Sequence, residues 1–151
     1  MPTEVEIAPI AVEEFEQLLP LIAAYQRFYK VEAIDEERNR TFFRRFLGPS
    51  EDGLLLGARS DGRLVGYACL YWHFSSLEAC ESVLMNDLYV DESVRGQGVG
   101  RALIEATAEV ARERGVPFVE WSTAPDNETA QRLYDSTGGE RTEWFSYELR
   151  V

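Results

Sequence analysis

The sequence predicts an α/β fold, a mixed sheet with helices on both of its faces. Three observations carry that expectation. Two extended apolar runs are joined by the turn Ser60-Asp61-Gly62, which reads as an antiparallel hairpin. A glycine-rich turn leads from a third extended run into a strongly periodic helix. Extended and helical segments then alternate to the end of the chain, giving the order β-α-α-β-β-β-α-β-α-β.

Taken in order, Val5–Ile10 is a short extended run that ends around Pro9. Apolar and aromatic residues follow at helical spacing from Val12 to Tyr29, with Phe15, Leu19, Ile22 and Tyr29 on one side. Pro20 lies inside this stretch and is expected to kink or split the helix. Asp35 is a good N-cap for a second helix through EERNRTFFRRFL, which stops at Gly48-Pro49. Leu54–Arg59 and Arg63–Trp72 form the hairpin, and Glu81–Val90 is the third strand of the block. The helix RALIEATAEVARERG closes on Gly115, Pro117–Thr123 is a further strand, and NETAQRLYDSTGG is a short helix. The tail FSYELRV alternates as a last strand, and Trp121 and Trp144 are assigned to packing.

At 151 residues the expectation is one domain spanning 1–151, large enough to fold without disulfides or a structural metal. Hydrophobic residues at 45% and charged residues at 28% exclude disordered and low-complexity classes. No apolar run has the length of a membrane span, and MPTEVEIAPI lacks the pattern of a signal peptide, so a cytoplasmic location is expected. The net charge of −12 argues against nucleic acid as a partner and suits attraction of a cationic small molecule. Cys69 and Cys80 lack metal or redox spacing, and His73 is alone, so no metal is expected.

The turn Arg95-Gly96-Gln97-Gly98-Val99-Gly100, followed by Arg101, carries the chemistry. Glycines let the backbone approach a ligand, and the first amides of the next helix point outward at its positive end. Together they suit a pyrophosphate. The P-loop pattern fails because no lysine follows Gly100. The dinucleotide fingerprint fails because Arg101 stands where glycine is needed and because five residues, Asp91 to Arg95, lie between the strand and the first glycine.

Arg95-x-x-Gly98-x-Gly100 after the strand NDLYV resembles the acyl-CoA-binding motif of the GNAT family of N-acetyltransferases. Asn127-x-x-Ala130-x-x-x-Tyr134 resembles the second CoA-side segment of that family. The element order agrees along the chain, while the specific part of the resemblance runs from Asn86 to Gly138. The resemblance implies a mostly antiparallel sheet and transfer of an acetyl group from acetyl-CoA, the co-substrate, to a primary amine in a ternary complex. It implies that Leu88, Tyr89 and Val90, the turn Arg95–Arg101, and Asn127, Ala130 and Tyr134 contact CoA. Tyr134 would be the general acid that protonates the leaving thiolate. Homodimers are common in the family.

Asp87 interrupts an otherwise apolar strand, so it should have a partner, a raised pKa or a pocket beside it. It reads two ways, as a structural carboxylate or as a group that recognises or deprotonates the amine. The diamine- and polyamine-acetylating branch of the family has an acid at this position, usually with a second just before it, where this chain has Asn86. On that resemblance the acceptor is a small cationic, polyamine-like amine. Tyr25, Tyr29, Glu32, Trp72 and Asp87 are the candidate acceptor residues, an acidic and aromatic lining that suits a cation. The alternatives are a protein or peptide amine as acceptor, or a non-catalytic acyl-CoA-binding sensor.

Overall fold

Backbone hydrogen bonds join five strands in the order β1-β2-β3-β4-β5. The computed structural model describes residues 4–151. The strands are β1 (Glu6–Pro9), β2 (Gly53–Ser60), β3 (Arg63–Ser75), β4 (Cys80–Val90) and β5 (Val119–Glu120). The helices are α1 (Phe15–Phe28), α2 (Glu36–Phe43), α3 (Val99–Arg114) and α4 (Glu128–Asp135). Neighbouring strands are antiparallel except β4 and β5, which run parallel. The mixed, mostly antiparallel sheet and the order of the elements agree with the sequence reading up to the tail. No helix among the described residues is long and apolar enough to cross a membrane.

The two faces of the sheet bury separate cores. On one, Phe15, Leu18, Leu19 and Ile22 of α1 and Phe43 and Phe46 pack on Leu55, Tyr67 and Cys69. On the other, Val99, Leu103 and Ala111 of α3 pack on Leu56, Val65, Leu70, Val83 and Met85. Each fully buried side chain of this size contributes about 1.5–3 kcal/mol, so these two layers hold the sheet in place.

Local signals explain the element ends. Asp35 caps α2 by accepting from the Arg38 amide at 3.1 Å. Asp61 and Gly62 turn the β2–β3 hairpin with φ of 50° and 76°, the positive values a tight hairpin needs. Gly115 ends α3 in the left-handed region at φ 71°. α1, however, runs unbroken through Pro20. Pro20 faces solvent, and the buried Leu18, Leu19, Leu21 and Ile22 around it hold the helix against the sheet.

Three expectations fail towards the C-terminus. The strand expected over 117–123 shrinks to Val119–Glu120. Its partner β4 carries a bulge just past the paired stretch, where Cys69 opposes Asp87 and Leu70 opposes Met85, leaving Asn86 extra. A bulge bends and twists its strand, which turns β4 away from its parallel neighbour. The tail is not a strand, and Trp144 is 78% exposed rather than packed. Alternation specifies a strand's faces, but a strand also needs an edge to bond to, and the tail meets none within this chain.

Candidate active site

The glycine turn is held in place from beneath and left open above. Asp91 accepts from the Ser93 amide at 2.9 Å and the Ser93 hydroxyl at 2.6 Å, shaping the turn that buries Val94. Gly96 and Gly98 then take positive φ, 78° and 87°, and α3 starts at Val99 without a side-chain cap. The first amide to bond back is that of Ala102, to Gly98 O at 3.0 Å. The amides of Val99, Gly100 and Arg101 therefore lack helical acceptors and stand at the positive end of a 16-residue helix. A Cβ on Gly96 or Gly98 would meet nothing within 4 Å, so this surface is accessible to a ligand. The residues present fit the pyrophosphate of a CoA.

Neither flanking arginine turns its guanidinium onto the turn. Arg95 donates through Nε to Val90 O at 3.0 Å and lies over the rings of Phe28 and Tyr89, 5.9 and 5.5 Å from their centroids. Arg101 bonds to Ser136 at the end of α4, through the hydroxyl and the carbonyl. In this arrangement the backbone amides, not the guanidinium groups, face the open turn, and Arg101 ties α3 to α4.

Beside the turn, β4 and β5 part company. Their register ends at Leu84 opposite Glu120, so Leu88, Tyr89 and Val90 lie on a stretch of β4 with no strand on its outer side. α4 stands across this opening. Asn127 caps it by accepting from the Ala130 amide at 3.2 Å. Leu133 approaches the glycine turn so closely that a Cβ on Gly100 would lie 3.1 Å from its Cδ2. The next residue, Tyr134, sits edge-on to Trp121 with ring centroids 5.5 Å apart. Burial pushes the Tyr134 hydroxyl up to about 12, and Tyr29 adds to the shift, so the proton stays on at neutral pH.

Asp87 is buried, 3% exposed, on the face that carries α1. The Tyr67 hydroxyl donates to its Oδ2 at 3.1 Å and the Asn86 amide to its Oδ1 at 2.7 Å. Burial raises its pKa to about 6, and these two hydrogen bonds oppose the shift. Partner and raised pKa are both as the sequence requires of a carboxylate in an apolar strand. Tyr25 leans on Tyr67, Tyr89 and Tyr29 with centroids 6.3, 6.4 and 5.1 Å away, and its hydroxyl reaches towards Asn86 O at 3.5 Å. A tyrosine-lined patch thus covers the carboxylate.

Two clefts open at the C-terminal end of α1, where Phe28 lines both. One, of about 480 Å³, lies between Tyr29 and Lys30 on one side and Asn127 and Arg132 of the α4 region on the other. The second, of about 420 Å³, is bounded by Arg27, Tyr89, Asp91 and Arg95. Tyr29 lines the first cleft, while Tyr25, Asp87 and Tyr134 line neither; these three still lie close enough that Asp87 and Tyr134 both raise the pKa of Tyr25. Glu32 stays exposed in the α1–α2 connection.

Trp72 does not join them. Tyr71 stacks on Phe46 at 5.2 Å, and Trp72, one residue on, faces the α3 side with the Arg114 guanidinium 3.7 Å over its ring. Strand alternation sends consecutive residues to opposite faces, so only one of this pair can look towards Asp87. Sequence reasoning missed Tyr67, the donor to Asp87, and Phe28, which lines both clefts. Tyr67 could have been found from register, since it lies two residues from Cys69 on the same face of the neighbouring strand.

Residues 15–138 match the Acetyltransferase (GNAT) family. The chain is 41% identical over 112 residues to the D-amino-acid N-acetyltransferase HPA3 of Saccharomyces cerevisiae, covering 73% of this chain and 69% of that protein. The crystal structure of a probable acetyltransferase superposes with a TM-score of 0.84 at 33% identity, covering 97% of both chains. An aminoglycoside N-acetyltransferase solved with CoA has the same fold, with a TM-score of 0.85 at 18% identity over 99% of this chain and 97% of that one. A glycine turn that fits a pyrophosphate, an opening between parallel strands and the match to such proteins lead to one conclusion: the chain belongs to the GNAT family and is an N-acetyltransferase.

Proposed function

We propose that residues 1–151 form one cytoplasmic domain that moves acetyl from acetyl-CoA directly to a small primary amine, with both substrates bound at once. The observation that carries this reading is the approach of Leu133 to Gly100, close enough that a Cβ there would crowd it, which sets the uncapped start of α3 beside the helix bearing Tyr134. The amides of Val99, Gly100 and Arg101 hold the pyrophosphate, with Gly96, Gln97 and Gly98 shaping the turn. The pantetheine arm lies along Leu88, Tyr89 and Val90, between β4 and α4, with Asn127 and Ala130 at its other side.

In this reading the neutral amine attacks the thioester carbonyl, the C–N bond forms, and the C–S bond breaks to release CoA thiolate. Tyr134 donates to the departing sulfur. A free thiol near ~8.5 is a stronger acid than this tyrosine, but a thiolate expelled into the same half-buried space is itself raised by desolvation. Asp87 takes up the amine proton through a water, because its own burial prevents direct contact with the acceptor. Tyr25 and Tyr29 offer ring faces to the cation, and Glu32 adds charge at the rim. A polyamine-like amine fits this lining and the net charge of −12.

A second reading, an amino-acid amine, is favoured by the clefts themselves. Lys30 and Arg132 line one, and Arg27 and Arg95 line the other, beside acids. Cations there suit an acceptor that carries a carboxylate, and the yeast relative is by name a D-amino-acid acetyltransferase.

The deciding experiment is CoA thiol release from acetyl-CoA over a panel of polyamines, D- and L-amino acids, amino sugars and short peptides. Release with polyamines but not amino acids supports the first reading, and the reverse supports the second. Release with peptides alone would overturn both, and CoA binding without release under any acceptor would mark a sensor.

A further inference from the structure

Gln26 in the last turn of α1 and Asn39 in the first turn of α2 exchange two hydrogen bonds. The Gln26 amide donates to Asn39 Oδ1 at 2.9 Å, and the Asn39 amide donates to Gln26 Oε1 at 2.8 Å. Asn39 is 6% exposed, and neither side chain lines a cleft. As mere glue between two helices this is a costly choice, since an apolar pair would pack there with no polar group to satisfy. What two opposed bonds between planar groups add is a fixed distance and a fixed orientation.

The pair sits at the base of the connection between α1 and α2. The main chain of Gln26 anchors the start of that connection: the Val31 amide bonds back to Gln26 O at 3.0 Å around Lys30, which takes φ 60°. The side chain of Gln26 anchors its end, through Asn39. Between these anchors Glu32, Ala33 and Ile34 make no backbone hydrogen bond. A second polar tie between the helices, Arg40 to Glu16 at 3.0 Å, uses a mostly exposed carboxylate at the opposite end of α1 and holds weakly. The connection carries Tyr29 and Lys30, which line the first cleft opposite Asn127 and Arg132.

We propose that Gln26 and Asn39 are positioning residues for the acceptor amine, holding the connection 29–35 as one wall of the cleft while α4 forms the other. This rests on the reading that the acceptor binds at the C-terminal end of α1, and not on which amine is preferred. Without the pair the connection is closed by its own first turn alone, and Tyr29 and Lys30 drift relative to α4. The site of acetyl-CoA, on the glycine turn and the far end of β4, is held by other elements. Loosening the pair therefore acts on the acceptor and spares the co-substrate.

Steady-state kinetics with spermidine and with D-alanine, together with hydrogen exchange at Val31, tests this on the full chain. Asn39→Leu strands the Gln26 amide. Its melting temperature should fall, its acceptor KM should rise about tenfold with the KM for acetyl-CoA unmoved, and Val31 should exchange faster. Gln26→Leu combined with Asn39→Leu puts apolar groups of similar size at both positions, so the melting temperature should return while the acceptor KM stays high. Gln26→Asn combined with Asn39→Gln keeps the summed length of the pair and should restore both. An acceptor KM that recovers with the melting temperature in the double leucine variant makes the pair structural only and overturns the proposal. So does an equal rise in both KM values, or a swapped pair that melts like wild type without restoring the acceptor KM. If neither amine turns over, exchange decides, and Val31 unchanged in the double leucine variant overturns the proposal. Tyr29→Ala separates this from the reading beneath it. A raised acceptor KM there with none in Asn39→Leu sinks the positioning pair alone, whereas no rise in either variant removes the acceptor from this end of α1 and sinks both.

Discussion

The Tyr67 hydroxyl donates to Asp87 Oδ2 at 3.1 Å, and with the Asn86 amide it supplies the hydrogen bonds that hold the buried carboxylate. Burial lifts the pKa of Asp87 to about 6, and Tyr67 holds it from rising further. If Asp87 accepts the amine proton, activity falls on its acid side as Asp87 protonates. Tyr67→Phe removes a bond to the charged form. A hydrogen bond to a charged group is worth about 1.5–3 kcal/mol, so the acid limb should move up by roughly one to two pH units. The check is kcat/KM against pH for wild type, Tyr67→Phe and Asp87→Asn. Loss of the limb in Asp87→Asn with an unmoved limb in Tyr67→Phe would show that Tyr67 does not tune the carboxylate.

The same carboxylate sets a stability prediction of opposite tendency. Its pKa is raised on folding, from 3.8 to about 6, so between these values the folded state binds the proton more tightly than the unfolded state. Stability from this site is therefore full below pH ~4 and declines as pH rises through about 6. The shift corresponds to about 3 kcal/mol at most, by about 1.4 kcal/mol per unit. Asp87→Asn keeps an acceptor for Asn86 and has no charge to bury. Its melting temperature relative to wild type should rise between pH 4 and pH 7, and an equal offset at both ends would count against a buried ionised Asp87.

Why Asp87 faces the tyrosines at all was not legible from the sequence. Before the bulge, Val83 and Met85 point towards α3, and unbroken alternation would send Asp87 the same way. Asn86 is the extra residue, so after it Leu88 and Val90 face α3 while Asp87 turns to Tyr67. A single inserted position reverses a face, and nothing in the local composition marks it. By contrast, the glycine turn, the caps at Asp35 and Asn127 and the hairpin at Asp61-Gly62 were legible, because each depends on the conformational preferences of one or two residues. The tail lies between these cases. Its alternation was readable, but the edge it needs is not supplied by its own chain.

Tyr134→Phe removes a proton donor while leaving the ring against Trp121. General acid contributions run to about 10²–10⁴, so kcat should fall by at least a hundredfold with little change in the KM for acetyl-CoA. Thermal melting should hardly move, since the packing is retained. Full turnover at every pH would remove Tyr134 from the acid role.

Gly98 holds φ 87° with open space where a Cβ would lie. Gly98→Ala should therefore cost conformational strain and no clash, about 1 kcal/mol, or roughly 2–4 °C in melting temperature. Relief of that strain distorts the turn, and CoA should bind several-fold more weakly by calorimetry. Unchanged CoA affinity in a protein with a lowered melting temperature would place the pyrophosphate elsewhere.

Asn127 acts on Tyr134 from seven residues away. α4 has eight residues and none of them is fully buried, so its position depends on its ends more than on a core. Asn127 fixes one end through the Ala130 amide, and Arg101 fixes the other through Ser136. Removing a cap of this kind costs about 1 kcal/mol, which predicts a fall of about 2–4 °C for Asn127→Ala. The larger effect should be kinetic. A frayed first turn lets the helix tilt, and Tyr134 loses its approach to the departing sulfur, so kcat should drop by about tenfold or more. Asn127→Asp and Asn127→Ser retain a side-chain acceptor for the Ala130 amide. Both should restore kcat and melting temperature together if capping is the whole of the role. Recovery of melting temperature without recovery of kcat would instead point to an Asn127 amide that bonds directly to bound CoA.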